Sequence, residues 1–345
     1  MGFLNQLAEK YKTISIVGMA KNAGKTTTLN YLIEEAMDEG MVLGITSTGR
    51  DGENTDLVTG SEKPKVYLEY GTIVSVPEQL YELSDAGLEI LRITSYPTAI
   101  GRIMLCRVKE SGYVQIAGPT NTKDHKKMCE EMLELGAQLI LIDGAIDRKS
   151  IAAPDTSDAV ILATGAVLSR NLNKVVEETL HTANLYQLPE VPVGDLRKRI
   201  VEGASEEKIM LIEGEKVKFL ELATGLLSGK YLDDAITKET EWVYIPGAFT
   251  QSVIADIHPA KLRQLIFVVK DPTKVFIGAK SWKQLKKRGF RLYVLEGIKI
   301  AGISVNPYSP SGYSFEHKDL IKAIKEGLED ILVFDVKFGV DYATV

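Results

Sequence analysis

An α/β protein built on a mostly parallel sheet is what this sequence predicts, and two observations carry that prediction. Short β-branched runs alternate with stretches of helical periodicity along most of the chain. Near its start, residues 13–30 read as an apolar strand running into a glycine-bracketed turn that opens a helix.

Taken in order, the apolar run 14–17 is the first strand, 26–38 the first helix and 42–46 the second strand. An irregular, strand-rich stretch follows, with strands at 66–70 and 102–108. The next cycle comprises strand 112–116, helix 122–135, strand 138–143, strand 159–163 and helix 171–185. Turn formers gather at 189–195, where Pro189, Pro192 and Gly194 mark a boundary. This divides the chain into a first domain, 1–190, and a second α/β domain, 191–345, expected to contact a partner or ligand. Strands of the second domain are expected at 209–212, 242–245, 265–269, 291–295, 300–305 and 331–336, with helices at 249–256, 280–287 and 317–329.

Bulk properties bound the function. At 345 residues and 45% hydrophobic content, two packed cores fit. The 41 basic and 47 acidic residues leave a formal charge of -6, so neither nucleic acid nor an anionic membrane is an expected partner. Cys106 and Cys129 have neither metal-ligand nor redox spacing and read as buried thiols. Apolar runs are too short to span a bilayer, and the N-terminus lacks a secretion or myristoylation pattern, so a cytoplasmic protein is expected.

The turn at 18–26, Gly-Met-Ala-Lys-Asn-Ala-Gly-Lys-Thr, is a phosphate-binding loop in its residue types. Backbone N–H groups of Gly18, Met19, Asn22, Ala23, Gly24, Thr26 and Thr27, with a helix N-terminus, would converge on anionic oxygens. Lys25 supplies a point charge to the terminal phosphates, and the Thr26 hydroxyl is a magnesium ligand. Five residues separate Gly18 from Gly24 where the usual loop has four, so Met19 stands at the first-glycine position. Lys21 contacts phosphate in its own subunit, reaches across a homodimer interface, or is simply exposed to solvent.

Asp143 ends the run Leu139-Ile140-Leu141-Ile142, where a parallel strand brings its carboxyl end beside the loop, and is expected to help fix magnesium. Gly144 beside it lets backbone approach phosphate. The second strand leads into Thr46-Ser47-Thr48-Gly49-Arg50-Asp51-Gly52-Glu53 at the same edge. There Asp51 or Glu53 would hold magnesium or orient the nucleophile, and Arg50 would meet phosphate, unless the segment is simply a mobile surface loop. Lys25, Asp51 and Asp143 are thus the candidate catalytic set, and Thr26, Asp51 and Asp143 the candidate magnesium set. Asp147, Arg148 and Lys149 are placed to respond to the γ-phosphate. No guanine-reading Asn-Lys-x-Asp element follows a suitable strand, which favours adenine and hence ATP.

Other signals fall away. His125, His181, His258 and His317 are dispersed and form no metal cluster. Asp256-Ile257-His258 opens like a cobalamin-ligand motif, but Lys261 stands where its glycine belongs. The basic run 283–288 reads as the wet face of a helix. Tyr308, Tyr313 and Phe315 either dock a ligand or pack beneath their turn.

With loop, 46–53 segment and Asp143-Gly144 assembled, the first domain resembles the P-loop class that includes dethiobiotin synthetase and the nucleotide-binding protein of molybdopterin-guanine dinucleotide biosynthesis. Adding Asp143-Gly144-Ala145 and the Val305-Asn306-Pro307-Tyr308-Ser309-Pro310 turn, most of the chain resembles the smaller subunit of the lysine 5,6-aminomutase reactivase. That resemblance implies a P-loop NTPase domain, ATP and Mg2+ as cofactors, and action beside an adenosylcobalamin- and pyridoxal-phosphate-dependent aminomutase with a MutS-like ATPase subunit. It carries over Lys25, Thr26 and Asp143 as nucleotide residues, and no mutase-contact residue.

The reading is a nucleotide-driven accessory or reactivating factor with ATPase activity. The alternative is an ATP-dependent synthetase or kinase acting on a small metabolite, and a third reading keeps the nucleotide as a structural ligand.

Overall fold

A computed structural model describes residues 3–48, 65–98, 100–119, 121–144, 156–220 and 229–336. Arg50, Asp51, Glu53, Ala145, Asp147, Arg148 and Lys149 lie outside the described residues. The chain is α/β, with a large, mostly parallel sheet, and divides into two compact units, 1–176 with 300–345, and 177–299.

The first unit is built on nine strands: β1 (Thr13–Gly18), β2 (Leu43–Ser47), β4 (Ile73–Pro77), β5 (Gly87–Thr98), β6 (Gly101–Glu110), β8 (Leu139–Asp143), β9 (Ala159–Gly165), β17 (Ile300–Asn306) and β18 (Val333–Asp335). Their order across the sheet is β18-β17-β9-β1-β8-β2-β4-β6-β5. All neighbours from β18 to β4 are parallel, and β6 is antiparallel to both β4 and β5. The short strands β3 (Val66–Leu68) and β7 (Gly112–Val114) pair separately.

The strands of the parallel part are continuous apolar runs because both faces are covered. On one face Leu139 and Leu141 join Ile14, Ile16, Leu43 and Ile45 in a core closed by the helix Lys25–Asp38. That helix buries Leu29, Leu32, Ile33 and Ala36, the i, i+3, i+4, i+7 stripe of an amphipathic helix. On the other face Ile140 and Ile142 pack with Met128, Cys129 and Met132 of the helix Thr122–Glu134. Cys106, on β6, belongs to the first cluster and Cys129 to the second, so the two free thiols are buried in the cores on opposite faces of the sheet. Burial pushes both up to about 12 and keeps them protonated.

The second unit has its own five-stranded sheet, β11-β10-β12-β14-β16, formed by β10 (Ile209–Glu213), β11 (Lys216–Leu220), β12 (Trp242–Tyr244), β14 (Ile266–Val269) and β16 (Leu292–Val294). The neighbours β12, β14 and β16 pair in parallel, and β10 is antiparallel to both β11 and β12. A pair formed by β13 (Phe249–Thr250) and β15 (Val275–Phe276) lies outside that sheet. Phe249, Phe267, Phe290 and Trp282 pack ring on ring in the core, with centroids 5.4–5.9 Å apart.

Two expectations differ from this architecture. The segment 300–336, assigned from sequence to the second domain, supplies β17 and β18 to the first sheet, with β17 beside β9 from Ile300 to Asn306. The second unit is therefore an insertion between two hydrogen-bonded neighbours, entered through the helix Leu172–Tyr186. Periodicity marks a strand but not its partner, and the same alternation runs through both units. The helix expected at 249–256 is instead β13 followed by the short helix Gln251–Ile254, because Phe249 enters the aromatic core in extended backbone.

Among the described residues no helix is long and apolar enough to cross a membrane.

Candidate functional site

The carboxyl ends of β1, β8, β2, β9 and β17 share one edge of the first sheet. From β1 the chain passes through the helix Lys25–Asp38 to β2 on one side, whereas from β8 it passes to β9 on the other. A topological switch point is thus centred on the turn after β1, the place where open parallel sheets leave a crevice for ligands.

The turn itself is shaped by two left-handed residues, Asn22 (φ 64°) and Gly24 (φ 103°). Gly24 is the N-cap of the following helix, and no side-chain hydrogen bond caps that helix N-terminus. Met19 N donates to Ala163 O of β9 at 2.9 Å, and Thr28 N to Gly24 O at 2.8 Å as the helix begins. Ala23 is buried, whereas Lys21, Asn22, Thr26 and Thr27 are exposed. The Lys25 stem lies across Gly18, where an added Cβ would stand 2.9 Å from Lys25 Cγ. Lys25 Nζ donates to the Gly144 carbonyl, immediately after Asp143.

Asp143 ends β8 beside Ile16 of β1 and Ser47 of β2, and its carbonyl accepts from Thr48 N at 3.2 Å. Gly18, Met19, Lys21, Asn22, Ala23, Gly24, Lys25, Thr26, Thr27 and Asp143 thus belong to one sheet edge. Among the described residues no group of three or more His, Cys, Asp or Glu is arranged to hold a metal ion. An anion held at the helix N-terminus, with Lys25 reaching the Gly144 carbonyl next to Asp143, is what this edge can support chemically.

β17 adds residues to this edge that sequence reasoning placed in another domain. An added Cβ on Gly24 would lie 3.1 Å from Asn306 Cβ, and one on Gly165 only 1.9 Å from Asn306 O. Thr28 Oγ1 donates to Gly24 O at 2.9 Å, and it shares a buried hydrogen bond of 2.7 Å with Ser304 Oγ. Of the alternatives open for the 305–315 turn, packing holds for Tyr313: its hydroxyl donates to Ala166 O at 2.5 Å, and the Arg170 guanidinium lies 5.3 Å from its ring centre. Asn306 Oδ1 accepts from Tyr308 N at 3.1 Å, closing the turn. Thr164-Gly165 and Asn306-Pro307 end apolar runs as Gly18 and Asp143 do, the one signal that points to them in the sequence.

On the opposite flank, Ser75 Oγ lies 2.7 Å from both Thr46 Oγ1 and Ala117 O, and Gly118 abuts the Ser47 carbonyl. His125, 3% exposed, sits here in the first turn of a helix capped by Asn121, whose side chain accepts from Asp124 N at 2.8 Å. Its Nδ1 lies 3.8 Å from Cys129 Sγ. Burial pushes the imidazole down to about 4, with the Ser47 carbonyl pulling weakly the other way. Below the unfolded value near 6.5 the unfolded chain takes up this proton and the folded chain does not. Stability is therefore expected to fall as pH drops from 6.5 to 4, by roughly 3 kcal/mol from this group, and the contribution levels off below 4. Urea unfolding across that range checks it: His125→Gln should lack this component of the slope, and equal slopes in both proteins refute it.

Neither the scan against protein-family models nor the search of curated proteins returned a match to this chain.

Proposed function

We propose that the chain is a P-loop nucleotide-binding protein, an ATP- and magnesium-dependent accessory factor that reactivates an adenosylcobalamin-dependent aminomutase. One observation carries the nucleotide part: a helix N-terminus without a side-chain cap, opened by Gly24-Lys25-Thr26, at the switch point of a parallel sheet and beside Asp143. In this reading the amides from Gly24 to Thr27 bind phosphate oxygens, whereas Met19 N and Ala23 N, expected from sequence to join them, are engaged with the Ala163 and Ala20 carbonyls. Lys25 exchanges the Gly144 carbonyl for the terminal phosphates, and Lys21, exposed on the turn, adds positive charge at its rim.

Thr26 and Asp143 would hold Mg2+, which when bound neutralises charge on the phosphate oxygens. Asp51 is the second carboxylate proposed for this set. The partner class, an aminomutase with a MutS-like ATPase subunit, rests on the resemblance of the loop, the 46–53 segment, Asp143-Gly144-Ala145 and the 305–310 turn.

Phosphate release from ATP and GTP, measured with and without a candidate aminomutase, tests the reading. Slow turnover alone, stimulated by the mutase and greater for ATP, is expected. Rapid, partner-independent conversion of a metabolite would favour a synthetase or kinase instead. Calorimetry showing no heat with either magnesium triphosphate would remove the nucleotide site.

A further inference from the structure

We infer that occupancy of the phosphate loop is relayed to the helix Leu172–Tyr186 through the contact of Gly24 with Asn306, Asn306 with Gly165, and Tyr313 with Ala166 and Arg170. The inference rests on the nucleotide reading above and concerns regulation from that site.

The contacts form a continuous series. Met19, which opens the turn, is tied to β9 by its hydrogen bond to Ala163 O, two residues before Gly165. Gly24 faces Asn306, with too little room for an unstrained Cβ between them. Asn306 in turn meets Gly165 backbone to backbone, where a Cβ would overlap the Asn306 carbonyl. Beyond Gly165 the chain is held twice by one side chain, through the Tyr313 hydroxyl on Ala166 O and the Tyr313 ring beneath Arg170. Leu172 opens the helix two residues later, and Asn171 organises its start, with Oδ1 accepting from Asn173 N at 2.9 Å and its carbonyl from Val175 N at 3.2 Å.

Contacts this close do not absorb displacement. A packed backbone interface shifts as a whole or changes arrangement, because interiors have little free volume and low compressibility. Phosphate drawn onto the helix N-terminus must reorganise Gly24 and Lys25, since Lys25 Nζ is engaged with Gly144 O. Displacement of Gly24 bears on Asn306, then on Gly165, and Tyr313 couples that movement to residues 166–170. The helix they precede carries the chain into the inserted unit, so that helix is where the nucleotide state is read out.

Hydrogen exchange of the full-length protein, with and without saturating Mg-ATP, tests the relay in wild type, Tyr313→Phe and Arg170→Ala, with affinity measured in parallel by calorimetry. Tyr313→Phe keeps the ring and removes the donor to Ala166; Arg170→Ala removes the cation over the ring. In the wild type, exchange in peptides spanning 166–186 should change by about threefold or more on binding. Both variants should bind Mg-ATP within about twofold of wild type and lose most of that response. Binding with no change in 166–186 of the wild type, or a full response in both variants, overturns the relay and leaves the nucleotide site standing. Absence of binding to the wild type overturns both.

Discussion

Lys25→Ala should weaken Mg-ATP binding by about 10- to 100-fold, the equivalent of one or two charge-assisted hydrogen bonds, and abolish phosphate release. The magnitude follows from the chemistry of the contact. An ammonium on a phosphate oxygen is a strong donor at a place where the helix N-terminus already favours anions, and the helix dipole cannot replace it. The loss in turnover should exceed the loss in affinity, because the charge on the terminal phosphate increases its demand for Lys25 as the bond to it breaks. The fold should survive. Lys25 is only part-buried and does not belong to the core that closes on Leu29, Leu32 and Ile33. Calorimetry, phosphate release and urea unfolding on one preparation separate these effects. Unchanged turnover with an unchanged unfolding midpoint would show that Lys25 has no place in the reaction.

Gly165→Ala should destabilise the protein by about 1–3 kcal/mol, the usual cost of forcing a methyl group into filled space. It should also weaken nucleotide binding although residue 165 carries no side chain to a ligand. The added Cβ would fall 1.9 Å from Asn306 O and 2.7 Å from Asn306 C, main-chain atoms of the neighbouring strand that cannot rotate away. β9 and β17 must therefore separate at their carboxyl ends, taking with them Asn306, which abuts Gly24, and the Ala166 carbonyl that accepts from Tyr313. Gly40 offers the contrast: no atom lies within 4 Å of a Cβ there, so the backbone conformation alone, φ 66°, opposes Gly40→Ala. Urea unfolding together with calorimetry reads both effects. A Gly165→Ala protein with wild-type stability and affinity would mean that the two strand ends can part without disturbing the loop.

How much of the site was legible from sequence varies with how local each signal is. The turn from Gly18 to Thr27 is a single stretch of chain whose conformation is set by its own residues: apolar β1, glycine in the left-handed region at Gly24 and an amphipathic stripe from Leu29 to Ala36. Asp143 could be placed because an apolar run buried on both faces implies a parallel strand, and a parallel strand delivers its carboxyl end to the same edge. The antiparallel hairpin β5–β6 was harder to read. Its register is broken at three places, and Pro97 and the outward Ile90 and Ile93 blur the alternation that would announce an edge strand.

By itself the sequence determined the α/β class, the strand-turn-helix at 13–30, the continuous apolar character of β1, β8 and β9, and the position of Asp143 at a strand end. Each of these depends on residues within one or two elements, where spacing is physics enough. Only the tertiary structure decided that β17 returns to lie against β9, that 177–299 is an insertion, and that Asn306, Gly165 and Tyr313 stand at the edge occupied by Gly24 and Lys25. Hydrophobic periodicity tells a strand which faces to bury. Its choice of neighbour is made by hydrogen bonds and close backbone contacts between residues more than a hundred positions apart, and no local pattern records them.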